Sequence, residues 1–250
     1  MKTSISDYES YKNICKQAAI DEQAFNSFKT HGDFTPILEH VSYQQGQEYI
    51  NYIVNSPEYT QSYLDSIRAN DIFGGTKLES YQEPFNSISP TTLRYFKVGL
   101  ELKEMFGDLS GKTVVEIGGG YGGQCLTLNK LYGDLKYTII DLPEVLDLAK
   151  TYLGRHNVQN VEFKELEDLH EPINSDLVIS NYAISECSKF VQKVYIQQII
   201  KNATNGYITY NNISHLFNVS SYTPQEFKEL VNAQEKVEIP QTGANIIYYW

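Results

Sequence analysis

The sequence predicts an α/β protein in which five parallel strands and a terminal antiparallel hairpin form one sheet, preceded by a helical region. Three observations lead there. From Lys112 onward, short apolar runs alternate with amphipathic helical stretches, the pattern of βαβ units. A glycine cluster at residues 118–123 follows the first of those runs directly. The last two runs are joined by the short segment QTGA, which suits a hairpin and leaves no room for a crossover helix.

Each element has its own justification. Residues 1 to about 70 place apolar side chains at helical spacing, as in Ile14, Ala18 and Ala19 or Tyr49, Ile50, Ile53 and Val54, so several short helices are expected. GGTKLESYQEPFNSISP, residues 74–90, is punctuated by Gly and Pro and is long enough to be a functional loop. Ser89 or Pro90 then opens a helix through TTLRYFKVGLELKEMF, with Leu93, Phe96, Val98, Leu100 and Leu102 as its apolar contacts and Gly107 as its stop. These breaks divide the chain into a helical lid or substrate region, 1–106, and a catalytic unit, 107–250. Within the latter, TVVEIG, LKYTIID, VEFKE, SDLVIS and GYITYN read as strands one to five. TPQEFKELVNAQ reads as a helix capped by Thr223 with proline at its first position. KVEIP and NIIYYW form the hairpin. A parallel core ending this way is expected to take the strand order 3-2-1-4-5-7-6 of the Rossmann-like class I methyltransferase sheet.

Composition excludes several classes of function. A net charge of -11 and a pI near 4.9, without any Lys/Arg cluster, argue against a nucleic-acid partner, which needs a basic face. No apolar run approaches the ~20 residues of a membrane span. The start, MKTSISDYESYKN, has no signal-peptide core, so a cytoplasmic protein is expected. Cys15, Cys125 and Cys187 lack metal or redox spacing and read as buried or idle thiols; no metal site is indicated. Among 20 tyrosines, Tyr43, Tyr49, Tyr52, Tyr59, Tyr63 and Tyr81 crowd together, either as core and rim residues or as a surface for sugars and polyols.

The sharpest feature is VVEIGGGYGGQ. Gly118, Gly120, Tyr121, Gly122 and Gln124 sit where a strand runs into a helix N-terminus, so the backbone can approach a ligand with a negative group. Gly118, Gly120 and Gly123 alone also satisfy the dinucleotide spacing of a nicotinamide dehydrogenase. Glu116 separates the two readings, because dinucleotide folds place an apolar residue there, whereas a carboxylate suits the ammonium of S-adenosylmethionine. Asp141, ending strand two, can accept both ribose hydroxyls of an adenosine in either cofactor. The terminal hairpin, and the absence of a dehydrogenase-sized domain after the sheet, favour the methyltransferase.

EIGGGYGGQ, DLPEV after strand two, SNYAISE after strand four and the upstream SISPTTLRY together resemble the sugar O-methyltransferases of bacterial polysaccharide gene clusters, a likeness covering residues 74–250. The resemblance implies an S-adenosylmethionine-dependent enzyme that methylates a sugar or sugar-linked hydroxyl of a small-molecule or glycan-precursor acceptor in capsule or lipopolysaccharide synthesis. Homodimerisation stays open. On the predicted sheet, Leu142 and Asp168 fall beside the adenine, Ser180 and Asn181 near the sulfonium, and Arg94 opposite the cofactor carboxylate. His215 after strand five, Glu186 after strand four and the neighbouring Tyr182 are the candidates for the proton acceptor and its surroundings. Two alternatives remain: methylation of a nitrogen or phosphate-linked oxygen, and a non-catalytic cofactor-binding subunit.

Overall fold

The apolar runs after Lys112 become strands of one seven-stranded sheet in the computed structural model, which describes residues 3–241 and 243–250. The helices are α1 (Glu9–Ile20), α2 (Glu22–Phe25), α3 (Thr35–Leu38), α4 (Tyr43–Asn55), α5 (Gln61–Ile67), α6 (Pro90–Phe106), α7 (Gly123–Tyr132), α8 (Pro143–Arg155), α9 (Lys189–Gln198) and α10 (Pro224–Val231). β1 (Glu79–Ser80) and β2 (Ser87–Ile88) make a small ladder inside the 74–90 loop. The main sheet comprises β3 (Thr113–Ile117), β4 (Lys136–Ile140), β5 (Val161–Lys164), β6 (Ser175–Asn181), β7 (Ala203–Tyr210), β8 (Gln234–Val237) and β9 (Ile246–Tyr249). Its order, β5-β4-β3-β6-β7-β9-β8, is the expected one, with β5 to β7 parallel and β9 antiparallel to both of its neighbours.

A strand sends successive side chains to opposite faces, so a strand buried on both sides feeds two cores. On β3, Val114 joins the core under α6, α7 and α8, while Val115 and Ile117 join the core under α9 and α10. The first of these cores also takes in Tyr11, Phe28, Phe34 and Ile53 from the N-terminal helices, so those helices and the sheet bury apolar surface together.

Helix α6 is the shared element. Ser89 caps it, accepting from the Thr91 amide at 3.2 Å, Pro90 occupies its first position, and Gly107 ends it at φ 76°. All of residues 90–102 are buried, including Arg94, Lys97 and Glu101. Enclosed charge needs partners. Glu101 receives Lys97, Lys236 and the Tyr207 hydroxyl, the last at 2.6 Å. Burial pushes its carboxyl up, but the two lysines prevail and hold it below the ordinary range.

The first hairpin strand runs against its own apolar alternation. Val237 and Ile239 are 63% and 60% exposed, while Lys236 leans onto Glu101 and Glu238 is buried. Partners already fixed inside, Glu101 and Tyr182, outweigh the apolar alternation. The crowded tyrosines are mostly packing residues: Tyr43 stacks on Tyr81 at 4.8 Å, Tyr52 donates to Glu104, Tyr63 accepts from Lys103, and Tyr59 lies against Phe85. Of the six, Tyr49 alone lines the large cavity. All three cysteines are free and buried. Among the described residues no helix is long and apolar enough to cross a membrane.

Candidate functional site

A cavity of about 770 Å³ opens at the carboxyl ends of β3, β4 and β6, where the strand order reverses. That is the ligand crevice of an open α/β sheet. Its roof comes from the N-terminal region, including Ile37, Leu38, His40, Gln45 and Tyr49.

The glycine loop forms the floor. Gly118 has φ 77°, and a Cβ there would lie 2.0 Å from the Ala183 Cβ, so only glycine lets the turns after β3 and β6 meet. Asp141 is held by two amides, Leu142 N–H to Oδ1 at 2.8 Å and Gly120 N–H to Oδ2 at 2.9 Å. Glu116 accepts the Tyr137 hydroxyl at 2.8 Å. Burial raises both carboxyls, Glu116 to about 7 and Asp141 to about 6. Groups so perturbed and facing a cavity are marks of a ligand site.

The residues present fit S-adenosylmethionine. Gln124 donates to the Tyr95 carbonyl at 3.2 Å, but its Oε1, buried in the same wall, has no partner and with Glu116 offers a seat for an ammonium. Arg94, 8% exposed, donates to the Leu38 carbonyl at 3.1 Å and lies 5.6 Å from the rings of Tyr95 and Tyr182. It is the only Lys or Arg among the described lining residues, the counterpart a carboxylate needs. Leu142 lies beside Asp141 in the wall.

Five of the expected residues take other positions. Tyr121 points away, donating to Glu39 at 3.0 Å within an aromatic group that includes Phe28, Tyr95 and Tyr152, so it ties the loop to the helical region. Gly122, φ 90°, makes room for Leu153 of α8. Ser180 is fully buried and spent on a clip, donating to the Ile117 carbonyl and accepting from Ile184 N–H. Asp168 is exposed and accepts from the Glu165 amide at 2.9 Å; Glu165, Leu166 and Glu167 face the cavity instead. His215 stands exposed on the 3-10 turn Ser214–Phe217, outside the wall, because that turn carries its side chain to solvent.

The remaining residues converge. Asn181, Tyr182 and Glu186 line the cavity past the end of β6. Tyr182 adopts φ 67°, and its hydroxyl donates to Glu238, whose other oxygen accepts Asn245 at 2.7 Å. Asn211 donates to Glu186 Oε1 at 2.7 Å while accepting the Ser185 hydroxyl at 2.7 Å, and burial raises the Glu186 carboxyl. Residues that sequence reasoning missed include Gln45, Asn212, Asn245 and His40. His40 stands exposed at the rim of the cavity, near Arg94. Only the helical spacing around Tyr49 hinted at this roof.

Comparison with known proteins adds the chemistry. A family model described as an O-methyltransferase domain matches residues 98–208. Acetylserotonin O-methyltransferase of Homo sapiens is 28% identical over 86 residues, 32% of this chain and 25% of that protein. The enzyme of the same name from Macaca mulatta is 28% identical over 95 residues, 35% of this chain and 28% of that protein. The matching part thus spans about a quarter of these relatives' length. Among solved structures, N-methyltransferase NodS from Bradyrhizobium japonicum, in complex with S-adenosylhomocysteine, gives a TM-score of 0.48 at 13% identity, over 62% of this chain and 84% of that one. A SAM-dependent methyltransferase from Aquifex aeolicus gives 0.45 at 19%, over 60% and 87%. The expected Rossmann-like strand order is the one the sheet takes, and the matched O-methyltransferase domain agrees with the expected methyltransferase class. The relatives named are acetylserotonin enzymes, so they do not support the expected sugar acceptor.

Proposed function

We propose that this chain is an S-adenosylmethionine-dependent O-methyltransferase whose acceptor is an uncharged, polyhydroxylated group, a sugar or sugar-linked hydroxyl. The observation that carries the acceptor class is the cavity lining, where Gln45, Asn181, Asn211, Asn212 and Asn245 accompany Tyr49 and Tyr182. Amides and phenols offer donors and acceptors at many angles, which suits hydroxyl groups. With Arg94 as the single lining guanidinium, assigned to the cofactor carboxylate, an anionic acceptor would have no counter-charge. The resemblance to sugar O-methyltransferases puts this reaction on a precursor of bacterial surface polysaccharide, in the cytoplasm, with residues 1–106 as the acceptor lid. An aromatic acceptor is the second reading, favoured by the names of the matched relatives; a match of 86 residues cannot span a wall drawn from residues 40 to 245.

Glu116 and Gln124 would hold the cofactor ammonium, Arg94 its carboxylate and Asp141 its ribose hydroxyls. Bound there, S-adenosylmethionine supplies an already activated methyl group for in-line transfer. The protein's tasks are alignment, exclusion of water and removal of one proton. Glu186 takes that proton on Oε2, because Oε1 already accepts Asn211. Its raised pKa brings the base nearer to neutral pH, where general-base catalysis is most effective. Tyr182, fixed by Glu238, and Asn181 orient the acceptor.

Calorimetric titration with S-adenosylmethionine, S-adenosylhomocysteine and NAD tests the cofactor half. Binding of the first two, abolished by Asp141→Ala, is expected; binding of NAD alone would overturn it. A panel of neutral glycosides, uronates, phosphosugars and indoles tests the acceptor, with methyl transfer expected on the first set only.

A further inference from the structure

The segment ahead of α1 does more than lead into a helix. Thr3, Ser4, Ile5 and Ser6 all line the cavity, and Ile5 is buried at 7% exposure. Ser4 pairs antiparallel with Cys187. The pairing is made by two backbone bonds, Ile5 N–H to the Glu186 carbonyl at 3.1 Å and Ser188 N–H to the Thr3 carbonyl at 2.8 Å. On the other side the segment is tied down by Lys12 to Asp7 at 3.0 Å and by the Thr3 hydroxyl to Asp7 at 3.0 Å. It is therefore a strap, fastened at one end to the turn after β6 and at the other to α1.

The strap's position singles out one half of the cavity. Val191 and Tyr195 of α9 share that wall with Cys187, and Glu165, Leu166 and Glu167 line the cavity as well. Cys187, Val191 and Tyr195 pack in one cluster with Ile140, which precedes Asp141, and with Leu166, so the strap's neighbours adjoin the carboxylate assigned to the ribose. Of the amide-bearing residues, Gln45 lies on α4 with Tyr49, while Asn211 reaches the Glu186 side chain from beyond β7.

We propose that residues 3–6 are a latch over the adenosine end of the cofactor site, which must unfasten from residues 186–188 before spent cofactor is exchanged for fresh. The latch rests on the cofactor reading above. Ile5 supplies the apolar ceiling and the two backbone bonds supply the fastening. Because the same turn carries Glu186, seating the latch also fixes the backbone of the proposed proton acceptor.

The test is the release rate of S-adenosylhomocysteine, followed by stopped-flow chase from the full chain. Ile5→Pro removes the amide that donates to Glu186, and Ile5→Ala keeps it while trimming the ceiling. Losing one such bond and part of the apolar contact is expected to speed release by roughly tenfold in Ile5→Pro and a few-fold in Ile5→Ala. In the wild type, the Ser188 amide is expected to gain protection from hydrogen exchange when S-adenosylhomocysteine binds. Wild-type release from an Ile5→Pro protein that melts like the wild type overturns the latch and leaves the cofactor reading standing. If Ile5→Pro does not fold, unchanged release from Ile5→Ala has the same force. Failure of the wild type to bind S-adenosylhomocysteine overturns both.

Discussion

Glu116 has only the Tyr137 hydroxyl to offset its burial, and its pKa of about 7 sets the pH dependence of the empty site. A cofactor ammonium favours the charged carboxylate, so binding competes with protonation. Affinity is expected to hold above about pH 7 and to fall below it, by up to about tenfold per unit, with Glu116→Gln flattening the curve in calorimetry. The sign for stability is opposite. A carboxyl raised on folding favours the folded state at low pH, so the cofactor-free protein is expected to lose stability as pH rises from the ordinary carboxylate range through about 7. Glu186→Gln is expected to lower kcat by about 10²- to 10⁴-fold with S-adenosylhomocysteine affinity unchanged; a fall in affinity alone would remove Glu186 from the chemistry. At this scale the floor of the site was legible, because Glu116, the glycines and Asp141 lie at strand ends that periodicity locates. The roof was not: His40, Gln45 and Asn245 carry no local signal, and His215 looked placed for catalysis only because a turn's direction cannot be read from its composition.

At the scale of elements, α6 was legible from its caps and apolar spacing, but not the burial of its charged side. Lys97 and Glu101 stand at i,i+4 spacing and are enclosed by Tyr52 of α4, Tyr207 of β7 and Lys236 of β8. Glu101→Leu leaves Lys97 buried without its carboxylate and is expected to cost about 3–5 kcal/mol in urea unfolding, far more than a surface pair. Ser89→Ala, removing the cap, is expected to cost about 1 kcal/mol. The same enclosed carboxylate explains why β8 defies alternation: Lys236 must face inward to reach it. Gly118→Ala would bring two turns into collision, and is expected to abolish cofactor binding while Gly107→Ala, where the added methyl meets nothing within 4 Å, leaves it intact.

Across the whole molecule, one apolar core runs from Tyr11 to Ile247, and a buried cation helps to join its parts. Lys29 donates to the Asn70 carbonyl at 2.6 Å and lies 4.6 Å from the Tyr121 ring, with burial bringing its pKa down to about 8. Regions that share a core unfold together. Thermal unfolding followed by Trp250 fluorescence, which reports the sheet, and by far-UV circular dichroism, which includes the N-terminal helices, is expected to give one midpoint; earlier loss of the dichroism would show a separable lid. The shared helix α6 also bears on how such a protein can change its acceptor over evolutionary time. Because α6 both lines the cavity and shares the core of the sheet, a recombination joint at residue 107 would cut through a common core; on the proposed reading, a new acceptor preference is therefore expected to come by point changes along α4 and the hairpin.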